Sequence, residues 1–309
     1  MNKISVIIPS YNSSLTIEQT IKTLLSQSQR DLISEIIIVD SSQDKTTPKL
    51  LSEYESEVKI IRLSSKAYPS ITRNTGVSAS TGEILVFFDA DVYPDDLWFK
   101  KIIDAYNNGC MVGSGSIAIP SFQKGKVIPL AQYYLQFNEY IPFGKSREKK
   151  FVPSCNIFCD KELFKKIGGF PEIRASEDVL FGLNANKITK VWFIPDAKVY
   201  HIFRENLKSF LKNQILLGEY IIYYRKLYYK SFVYNGFFPI LLFPFILIFK
   251  LSRIIYRIFN SGYYHIRNFL KSSPLLLLGL IFWSYGFIKG SLNYKEFNTI
   301  KSKLNDNYL

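Results

Sequence analysis

The chain has 309 residues, enough for one large domain or two smaller ones, and its aromatic content of 16% and formal charge of +13 are unlike those of an ordinary soluble enzyme. The charge is concentrated at the carboxyl end, because residues 202–309 contain 15 Lys and Arg against 4 Asp and Glu, whereas residues 1–201 contain 24 against 22. Basic residues interleaved with long apolar runs favour a membrane surface as the partner and exclude a nucleic-acid groove.

The first 90 residues alternate short apolar strands with helices. Amphipathic spacing predicts helices over residues 14–28 and 46–56. Buried strands are predicted at Ile4–Ile8, Glu35–Val39, Val58–Leu63 and Ile84–Phe88. This alternation predicts an α/β fold of Rossmann type, with a mainly parallel sheet flanked by helices and a ligand crevice beyond the carboxyl ends of its strands.

Polar groups follow three of these four strands. The sequence reads PSYN after the first strand, DSSQD after the second and DAD after the fourth. Since parallel strands end at one edge of the sheet, Asp40, Asp44, Asp89 and Asp91 are expected to share a site. Neither a GxGxxG turn nor a GxxxxGK[ST] loop is present, which argues against a dinucleotide oxidoreductase and a P-loop enzyme.

The pair Asp89 and Asp91 has the spacing of a cation site. Two carboxylates separated by one residue on a turn can hold a hard divalent cation that keeps open positions for phosphate oxygens. A solvated turn after a strand is the alternative interpretation of the same residues. The rigid buried strand before them favours the cation site.

Residues 98–201 are predicted to complete the same domain on its acceptor-facing side. Glu177 and Asp178 stand at the start of a predicted helix, where acidic residues also occur for purely structural reasons. The segment KVWFIPDAKVYH predicts a strand, a turn and a second strand ending at His201.

The carboxyl-terminal third predicts a helical membrane-attachment region. We expect a catalytic domain over residues 1–205 and a basic, aromatic region over 206–309 with apolar segments at 232–249 and 274–288. The first segment contains two prolines and the second is shorter than the roughly 20 residues of a membrane span. The basic stretch between them contradicts the positive-inside tendency if both cross. We therefore favour monotopic or re-entrant attachment by an amphipathic helix over two spans.

The catalytic domain is expected on the cytoplasmic side of that membrane. The apolar run at the amino terminus, Ile4–Ile8, is too short for the core of a signal peptide. The cysteines form neither a disulfide framework nor a zinc pattern, which favours a reducing compartment.

Four blocks in order resemble the family 2 glycosyltransferases, which are inverting enzymes of the GT-A fold that use nucleotide sugars. The blocks are ISVIIPSYN, EIIIVDSSQDKT, RNTGVSASTGEILVFFDADVYP and GGFPEIRASEDVLFGLNA. The resemblance covers roughly residues 3–201, about two thirds of the chain. Four ordered blocks are much more specific than any one of them.

The resemblance implies a role for each candidate residue. Pro9 and Tyr11 would pack against the nucleotide, Asp40 would accept a hydrogen bond from the base, and Asp44 would support it. Arg73 and Asn74 would lie beside the phosphates, and Asn156 near the donor sugar. Asp89 and Asp91, with His201 as a third group, would hold Mg²⁺ or Mn²⁺. Asp178 would be the catalytic base and Glu177 its neighbour, although the sequence allows the two roles to be exchanged.

The expected function is therefore metal-dependent, inverting sugar transfer from a nucleotide sugar, with UDP as the family's usual nucleotide. The acceptor would be a hydroxyl of a saccharide or lipid-linked molecule in cell-surface glycan synthesis. One alternative is a nucleotidyltransferase, which would leave Glu177 and Asp178 without a role. The other is a non-catalytic membrane-bound scaffold that keeps the fold, against which the retained acidic groups argue.

Overall fold

The computed structural model describes residues 3–234, 237–302 and 304. These residues form two compact units. Unit 1 contains the described residues of Met1–Ala118 and Pro142–Ile202, and unit 2 those of Ile119–Ile141 and Phe203–Leu309. The predicted boundary at residue 205 is near the change at residue 202, but Ile119–Ile141, which we expected in the catalytic domain, groups with the carboxyl-terminal helices.

Unit 1 is built on a single mixed sheet. Its strands are β1 (Ile4–Ser10), β2 (Ile33–Asp40), β3 (Lys59–Arg62), β4 (Ile84–Phe88), β5 (Val92–Pro94), β6 (Val112–Ala118), β7 (Arg147–Lys149), β8 (Asn156–Asp160) and β9 (Val191–His201). The order is β3-β2-β1-β4-β8-β6-β9-β5, with β7 also on β9. The first four strands in this order are parallel, whereas β8 is antiparallel to both of its neighbours.

Six helices accompany this sheet within the described part of unit 1. They are α1 (Ile17–Leu25), α2 (Thr46–Ser52), α3 (Pro69–Ser78), α4 (Trp98–Asn107), α6 (Lys161–Ile167) and α7 (Glu177–Ala185), while α5 (Val127–Gln136) belongs to unit 2. The predicted strands and the helix α1 are confirmed in place. Helix α2 ends four residues before the predicted limit, and β3 is shorter than predicted.

The predicted pair of strands before His201 is a single strand, so this prediction is wrong. β9 runs without interruption from Val191 to His201. The expected turn is a bulge in its pairing with β6, where the register moves from Ile194 opposite Gly115 to Lys198 opposite Ser116. A β-bulge places an extra stretch of one strand against its partner without ending the strand, which accommodates Pro195.

Aromatic packing fixes the turn that precedes α7. Phe170, in the turn between α6 and α7, contacts Phe87 of β4 edge to face at a centroid distance of 5.1 Å and Phe181 of α7 at 4.7 Å. All three rings are buried. Aromatic pairs at this separation stabilise beyond their burial, so the start of α7 is anchored directly to the central strand.

The described residues of unit 2 form helices and the loops between them, with no strand. It comprises α5 with α8 (Leu207–Tyr229), α9 (Phe238–Leu241), α10 (Phe243–Phe259), α11 (Tyr263–Leu292) and α12 (Tyr294–Ser302). The two apolar segments do not match these helices. Segment 232–249 includes residues 235–236, which are outside the described residues, and it has a break at Leu242 between α9 and α10. Segment 274–288 lies inside α11, which has 30 residues. The helix is therefore long enough to cross a membrane, although the apolar segment alone is not.

Helix α11 is the one helix, in the part of the chain that the structure describes, whose length and apolar composition would allow a membrane crossing. Its most apolar 18-residue window has a mean hydropathy of 1.6, and 44% of that window is buried inside the protein. Burial of this extent is also found in a core helix of a soluble protein.

Close backbone contact holds α8 against α11. A Cβ on Gly218 would lie 2.0 Å from the carbonyl oxygen of Trp283, and a Cβ on Gly286 would lie 2.0 Å from that of Ile215. Only glycine allows two helix backbones to approach this closely. Lys289 of α11 also forms an ion pair of 2.9 Å with Glu219 of α8.

Gly286→Ala should destabilise the protein even though alanine is the better helix former. The added methyl must displace the Ile215 carbonyl, and overpacking of this kind costs about 1–3 kcal/mol or more. Urea unfolding followed by circular dichroism measures the change in free energy of unfolding. Tyr285→Ala, at the neighbouring exposed position, is the control. A Gly286→Ala protein as stable as the control would contradict the close contact.

Candidate active site

The carboxyl ends of β1 and β2 carry a network of small polar side chains around Asp40. Asp40 is 3% exposed, and its Oδ1 accepts hydrogen bonds from the hydroxyls of Ser10 at 2.8 Å and Ser42 at 2.5 Å. Its Oδ2 lies 3.9 Å from the guanidinium of Arg62. The buried carboxylate therefore joins the two strand ends, and little of its surface is available to a ligand.

Asn12 links the same two loops and was not singled out by the sequence. Its backbone has φ +49°, a left-handed conformation that asparagine tolerates better than most residues. Its side-chain Oδ1 accepts hydrogen bonds from the backbone amides of Gln43 at 2.9 Å and Asp44 at 3.2 Å. The backbone amide of Asn12 donates to Ser42 Oγ at 2.8 Å. An asparagine directly after a strand-ending PSY is the signal that could have found it.

Tyr11 and Asp44 have different surroundings at this edge. The Tyr11 ring is 40% exposed and lies 4.5 Å from Lys66 Nζ, measured to the ring centroid. Asp44 accepts hydrogen bonds from the hydroxyls of Thr46 and Thr47 at 2.9 and 3.0 Å. Asp44 thus stabilises the first turn of α2, while Tyr11 presents an aromatic face on the surface.

Arg73 connects the end of β4 with the start of α7. Its side chain is 2% exposed, and its two terminal nitrogens bond Asp89 Oδ1 at 2.6 Å and Glu177 Oε1 at 2.8 Å. Burial alone would lower the pKa of Arg73, but the two carboxylates outweigh it and hold the pKa above its usual range. Arg73 therefore brings together two residues 88 positions apart and is itself shielded from solvent.

The acidic pair is presented by a strained turn. Ser176, directly before α7, has φ +65°, which is uncommon for a residue other than glycine. Asp178 is half-buried, and its carboxylate accepts hydrogen bonds from the amides of Ser154 at 3.1 Å and Val179 at 2.8 Å. Backbone strain held in place by surrounding packing is concentrated at functional sites.

The environment brings both acids toward a neutral working range. Burial and the adjacent Asp178 raise the pKa of Glu177 to about 7, against the opposing effect of Arg73. Burial also raises the pKa of Asp178, although the Ser154 amide and Arg73 oppose it. A carboxylate with a raised pKa is a better proton acceptor near neutral pH than an exposed one.

Asp91 and His201 face each other across the β5–β9 edge. His201 Nε2 lies 3.9 Å from Asp91 Oδ1, and His201 Nδ1 lies 3.1 Å from the carbonyl oxygen of Ile202. Because a carbonyl only accepts, Nδ1 carries the proton in the neutral ring and the lone pair is on Nε2, toward Asp91. An imidazole nitrogen and a carboxylate in this arrangement have the chemistry of metal ligands.

The predicted metal set is only partly assembled. Within residues 3–234, 237–302 and 304, no group of three or more His, Cys, Asp or Glu side chains is placed to hold a metal ion. Asp89 instead pairs with Arg73. Asp91 and His201 fit a divalent cation by donor type, and Asp89 would join them only after turning from Arg73.

Cys155 lies among these groups and was missed from the sequence as part of the site. Burial raises the pKa of its thiol well above the usual value, and the charges of Asp89, Asp91 and Asp178 add to this effect. Arg73, which bonds both Asp89 and Glu177, places the DAD turn beside the start of α7.

Two residues predicted to bind the ligand, Asn74 and Asn156, form hydrogen bonds with other groups of the protein. The Asn74 amide donates to the Phe170 carbonyl at 2.8 Å and accepts from the Phe170 amide at 3.0 Å, so it holds the turn before α7. Asn156 is fully buried between the indole of Trp98 at 2.9 Å and the carbonyl of Ser116 at 3.1 Å. The sequence could not distinguish an amide that binds a ligand from one that binds its own backbone.

Comparison with known sequences assigns the family. Residues 5–168 match the profile of Glycosyl transferase family 2, which is more than half of the chain. The chain belongs to this family. The match begins in β1 and ends after α6, so it includes the DAD turn, and α7 with Glu177 and Asp178 follows it. The expected family is confirmed, and the nucleotidyltransferase alternative is set aside.

Curated relatives in this family are distant. Glycosyltransferase AglE of Haloferax volcanii is 23% identical over 172 residues, which cover 54% of this chain and 56% of AglE. The uncharacterized glycosyltransferase EpsJ of Bacillus subtilis is 27% identical over 220 residues, which cover 67% of this chain and 62% of EpsJ. The chain thus spans less than two thirds of the length of either relative.

Solved structures confirm the GT-A fold. The mannosyltransferase PcManGT from Pyrobaculum calidifontis, in complex with GDP-Man and Mn²⁺, aligns with a TM-score of 0.62 at 16% identity, over 95% of this chain and 88% of that one. S. aureus TarS in complex with UDP-GlcNAc aligns with a TM-score of 0.54 at 19% identity, over 95% and 92%. At these identities the likeness establishes the fold.

Arg73→Met should destabilise the protein strongly. It would leave Glu177 buried without its cation, and breaking a buried ion pair from one side costs about 3–5 kcal/mol. Lys190→Met removes a lysine that is 66% exposed and paired with the exposed Glu148, for which about 0–1 kcal/mol is expected. Chemical unfolding of both variants gives the two values. Equal decreases in the free energy of unfolding would show that the buried ion pair stabilises the protein no more than an exposed one.

Proposed function

We propose that the chain is an inverting glycosyltransferase that moves a sugar from a UDP-sugar to an acceptor hydroxyl in a single displacement. The observation that carries the proposal is the joining of the DAD turn to the Glu177–Asp178 pair through buried Arg73. The reaction requires a site that binds the diphosphate of the donor, which we assign to the DAD turn. It also requires a group that removes the acceptor proton, which we assign to the Glu177–Asp178 pair. Family membership supports the reaction class.

Asp178 is the proposed base. Glu177 is tied to Arg73, whereas Asp178 is half-buried with its carboxylate held by two backbone amides. A fixed carboxylate with a raised pKa can take the proton from the acceptor hydroxyl as that oxygen attacks the anomeric carbon. Glu177, through Arg73, would position the DAD turn relative to this base. The new glycosidic bond forms as the bond to the diphosphate breaks, which inverts the anomeric configuration.

Mg²⁺ or Mn²⁺ is the proposed cofactor, held by Asp91 and His201 with Asp89. The cation would stabilise the negative charge that develops on the departing diphosphate. Support comes from the donor types and their separation, and from the Mn²⁺ in the PcManGT complex. Asp89 is the residue whose carboxylate would exchange Arg73 for the cation.

The nucleotide would lie across the ends of β1 and β2. Tyr11, with its exposed ring beside Lys66, and Pro9 would pack against the base and ribose. Asp40 is buried, so we assign it the support of the Ser10 and Ser42 loops that face the base. Arg73 and Asn74 would act indirectly, by placing the DAD turn and the turn before α7. Asp44 would stabilise α2, and Asn156 the interior of the domain.

The acceptor is proposed to be a saccharide or lipid-linked molecule used in cell-surface glycan synthesis at a cytoplasmic membrane face. Named relatives support this class, since one is the poly(ribitol-phosphate) beta-glucosyltransferase of Bacillus spizizenii. The basic, aromatic composition of the carboxyl-terminal third supports membrane attachment.

Thermal shift with UDP, GDP, CDP and dTDP, each with and without Mn²⁺, tests the proposal. A ligand that binds only the folded state raises the melting temperature by mass action. We expect UDP to stabilise the protein and Mn²⁺ to increase that effect. Absence of a shift with all four nucleotides, in protein shown to be folded, would favour the non-catalytic scaffold.

A further inference from the structure

Helix α10 exposes apolar side chains, while its charged side chains contact the rest of unit 2. Six of its exposed side chains are large and apolar, each between 38% and 71% exposed. We call these residues the α10 apolar face: Phe245, Ile248, Phe249, Ile255, Tyr256 and Phe259. In a soluble helix such residues would form the buried side.

The charged residues of α10 contact other parts of unit 2 instead. Arg257 bonds Glu139 at 2.7 Å and Asn138 at 2.7 Å, and Arg253 bonds Glu139 at 3.0 Å. Lys250 Nζ lies 4.4 Å from the centroid of the Trp283 ring. The sequence of residues 250–271 predicts an apolar face of Ile254, Ile255, Ile258 and Phe259 opposite a basic face. Ile255 and Phe259 are exposed, whereas Ile254 and Ile258 are buried in the protein.

The predicted single amphipathic helix is also divided. α10 ends at Phe259, Gly262 takes φ +98°, and α11 begins at Tyr263. The 17 residues of α10 span about 25 Å along the helix axis. A helix of this length is shorter than the roughly 20 residues that cross a bilayer, whereas it can lie along the membrane surface.

We propose that the α10 apolar face inserts into the interface of a bilayer that contains anionic lipid. This inference rests on the proposed membrane-associated function and specifies its surface. Four of the six side chains are Phe or Tyr, which favour the boundary between headgroups and hydrocarbon. Arg253 bonds Glu139 through one terminal nitrogen and is 46% exposed, so the rest of its guanidinium can reach lipid phosphate while its aliphatic part stays in apolar surroundings.

Charge decides between lipid and a second copy of the chain. Unit 2 contains 17 Lys and Arg against five Asp and Glu. Two copies meeting through this unit would bring strong like charges together, whereas an anionic surface attracts them. An anionic bilayer supplies both the apolar depth and the complementary charge.

Vesicle flotation of the purified full chain tests the inference. We expect binding to phosphatidylcholine vesicles that contain phosphatidylglycerol, weaker binding without it, and partial weakening by salt, because salt screens the charges and not the apolar contact. Ile248→Ser combined with Phe249→Ser should reduce partitioning about tenfold or more. Leu97→Ser combined with Ile188→Ser, which changes two residues of unit 1 that are 49% and 52% exposed, should leave it unchanged.

Tyr256→Trp provides a test that keeps the face apolar. The fluorescence of the added tryptophan is obtained by subtracting the emission spectrum of the unmodified protein from that of the variant. This emission should shift to the blue when anionic vesicles are added. No vesicle binding, no shift, or a wild-type dimer that Ile248→Ser and Phe249→Ser convert to a monomer would overturn the inference. The UDP thermal shift on the same preparations separates the two proposals. UDP stabilisation without vesicle binding would reject only this surface, and vesicle binding without UDP stabilisation would reject only the proposed activity.

Discussion

Asp178→Asn should reduce kcat by about 10²–10⁴-fold and leave UDP binding close to that of the unmodified protein. Asparagine has nearly the same shape, and its Oδ1 can still accept a hydrogen bond from one of the two backbone amides, Ser154 and Val179, that the carboxylate of Asp178 binds at 3.1 and 2.8 Å. It loses the other of these two bonds and the ability to take a proton. Steady-state release of UDP in the presence of acceptor, with UDP affinity measured by calorimetry, separates these two effects.

The pH dependence gives an independent reading of the same group. A base must be deprotonated, so the rate of the unmodified enzyme should rise with pH across the raised pKa of the Glu177–Asp178 pair. The acidic limb reports the pair and not either residue alone. In Glu177→Gln the limb should move to lower pH, because it then reports Asp178 without Glu177, whose pKa burial and the charge of Asp178 raise to about 7. Near-native turnover by Asp178→Asn would show that Asp178 is not the base.

The regular elements of unit 1 could be predicted because their signals are local. Ile4–Ile8 and Ile84–Phe88 are apolar runs buried on both faces, and polar residues end each strand where the site begins. The bulge in β9 could not be predicted in this way. Its register depends on pairing with β6, which lies some 80 residues earlier in the chain, and a local pattern of Pro and Asp is equally typical of a turn.

The contacts of the predicted site residues differ from those expected, and their roles stay predictions. Arg73 joins Asp89 to Glu177, so it binds carboxylates where we expected phosphates. A sequence records which residue types are present, whereas burial decides their partners. An arginine that is 2% exposed must have its charge balanced inside the protein, and here the nearest balancing groups are the two acidic motifs.

Unit 2 departed furthest from prediction for a related reason. Amphipathic reasoning assigns the apolar side of a helix to the protein or membrane interior and the charged side to water or headgroups. In α10 the acid that attracts the basic residues is Glu139, more than 100 positions earlier in the chain. Glu139 thus pairs with Arg253 and Arg257 inside unit 2, a contact that the helix pattern alone does not predict.

Asp91→Asn should remove the Mn²⁺ enhancement of UDP binding and reduce metal-supported turnover by about 10²-fold or more. An amide oxygen is a weaker ligand than a carboxylate for a hard cation and brings no charge to balance it. Asp91 is the better test than Asp89, since Asp89→Asn would also weaken the bond to Arg73 and lower stability. The first measurement is the melting temperature in the presence of UDP, with and without Mn²⁺. The second is the rate of UDP release in the presence of donor, acceptor and Mn²⁺.

Asp95→Asn is the matched control for Asp91→Asn. Asp95 is a surface carboxylate of similar exposure four residues later, paired with Lys198 at 3.0 Å. We expect its variant to keep the full Mn²⁺ effect. If Asp91→Asn kept that effect as well, the cation would be held elsewhere. If only Asp91→Asn lost it, the turn after β4 would hold the cation, and the charge that builds on the departing diphosphate would be met at the end of a rigid, buried strand.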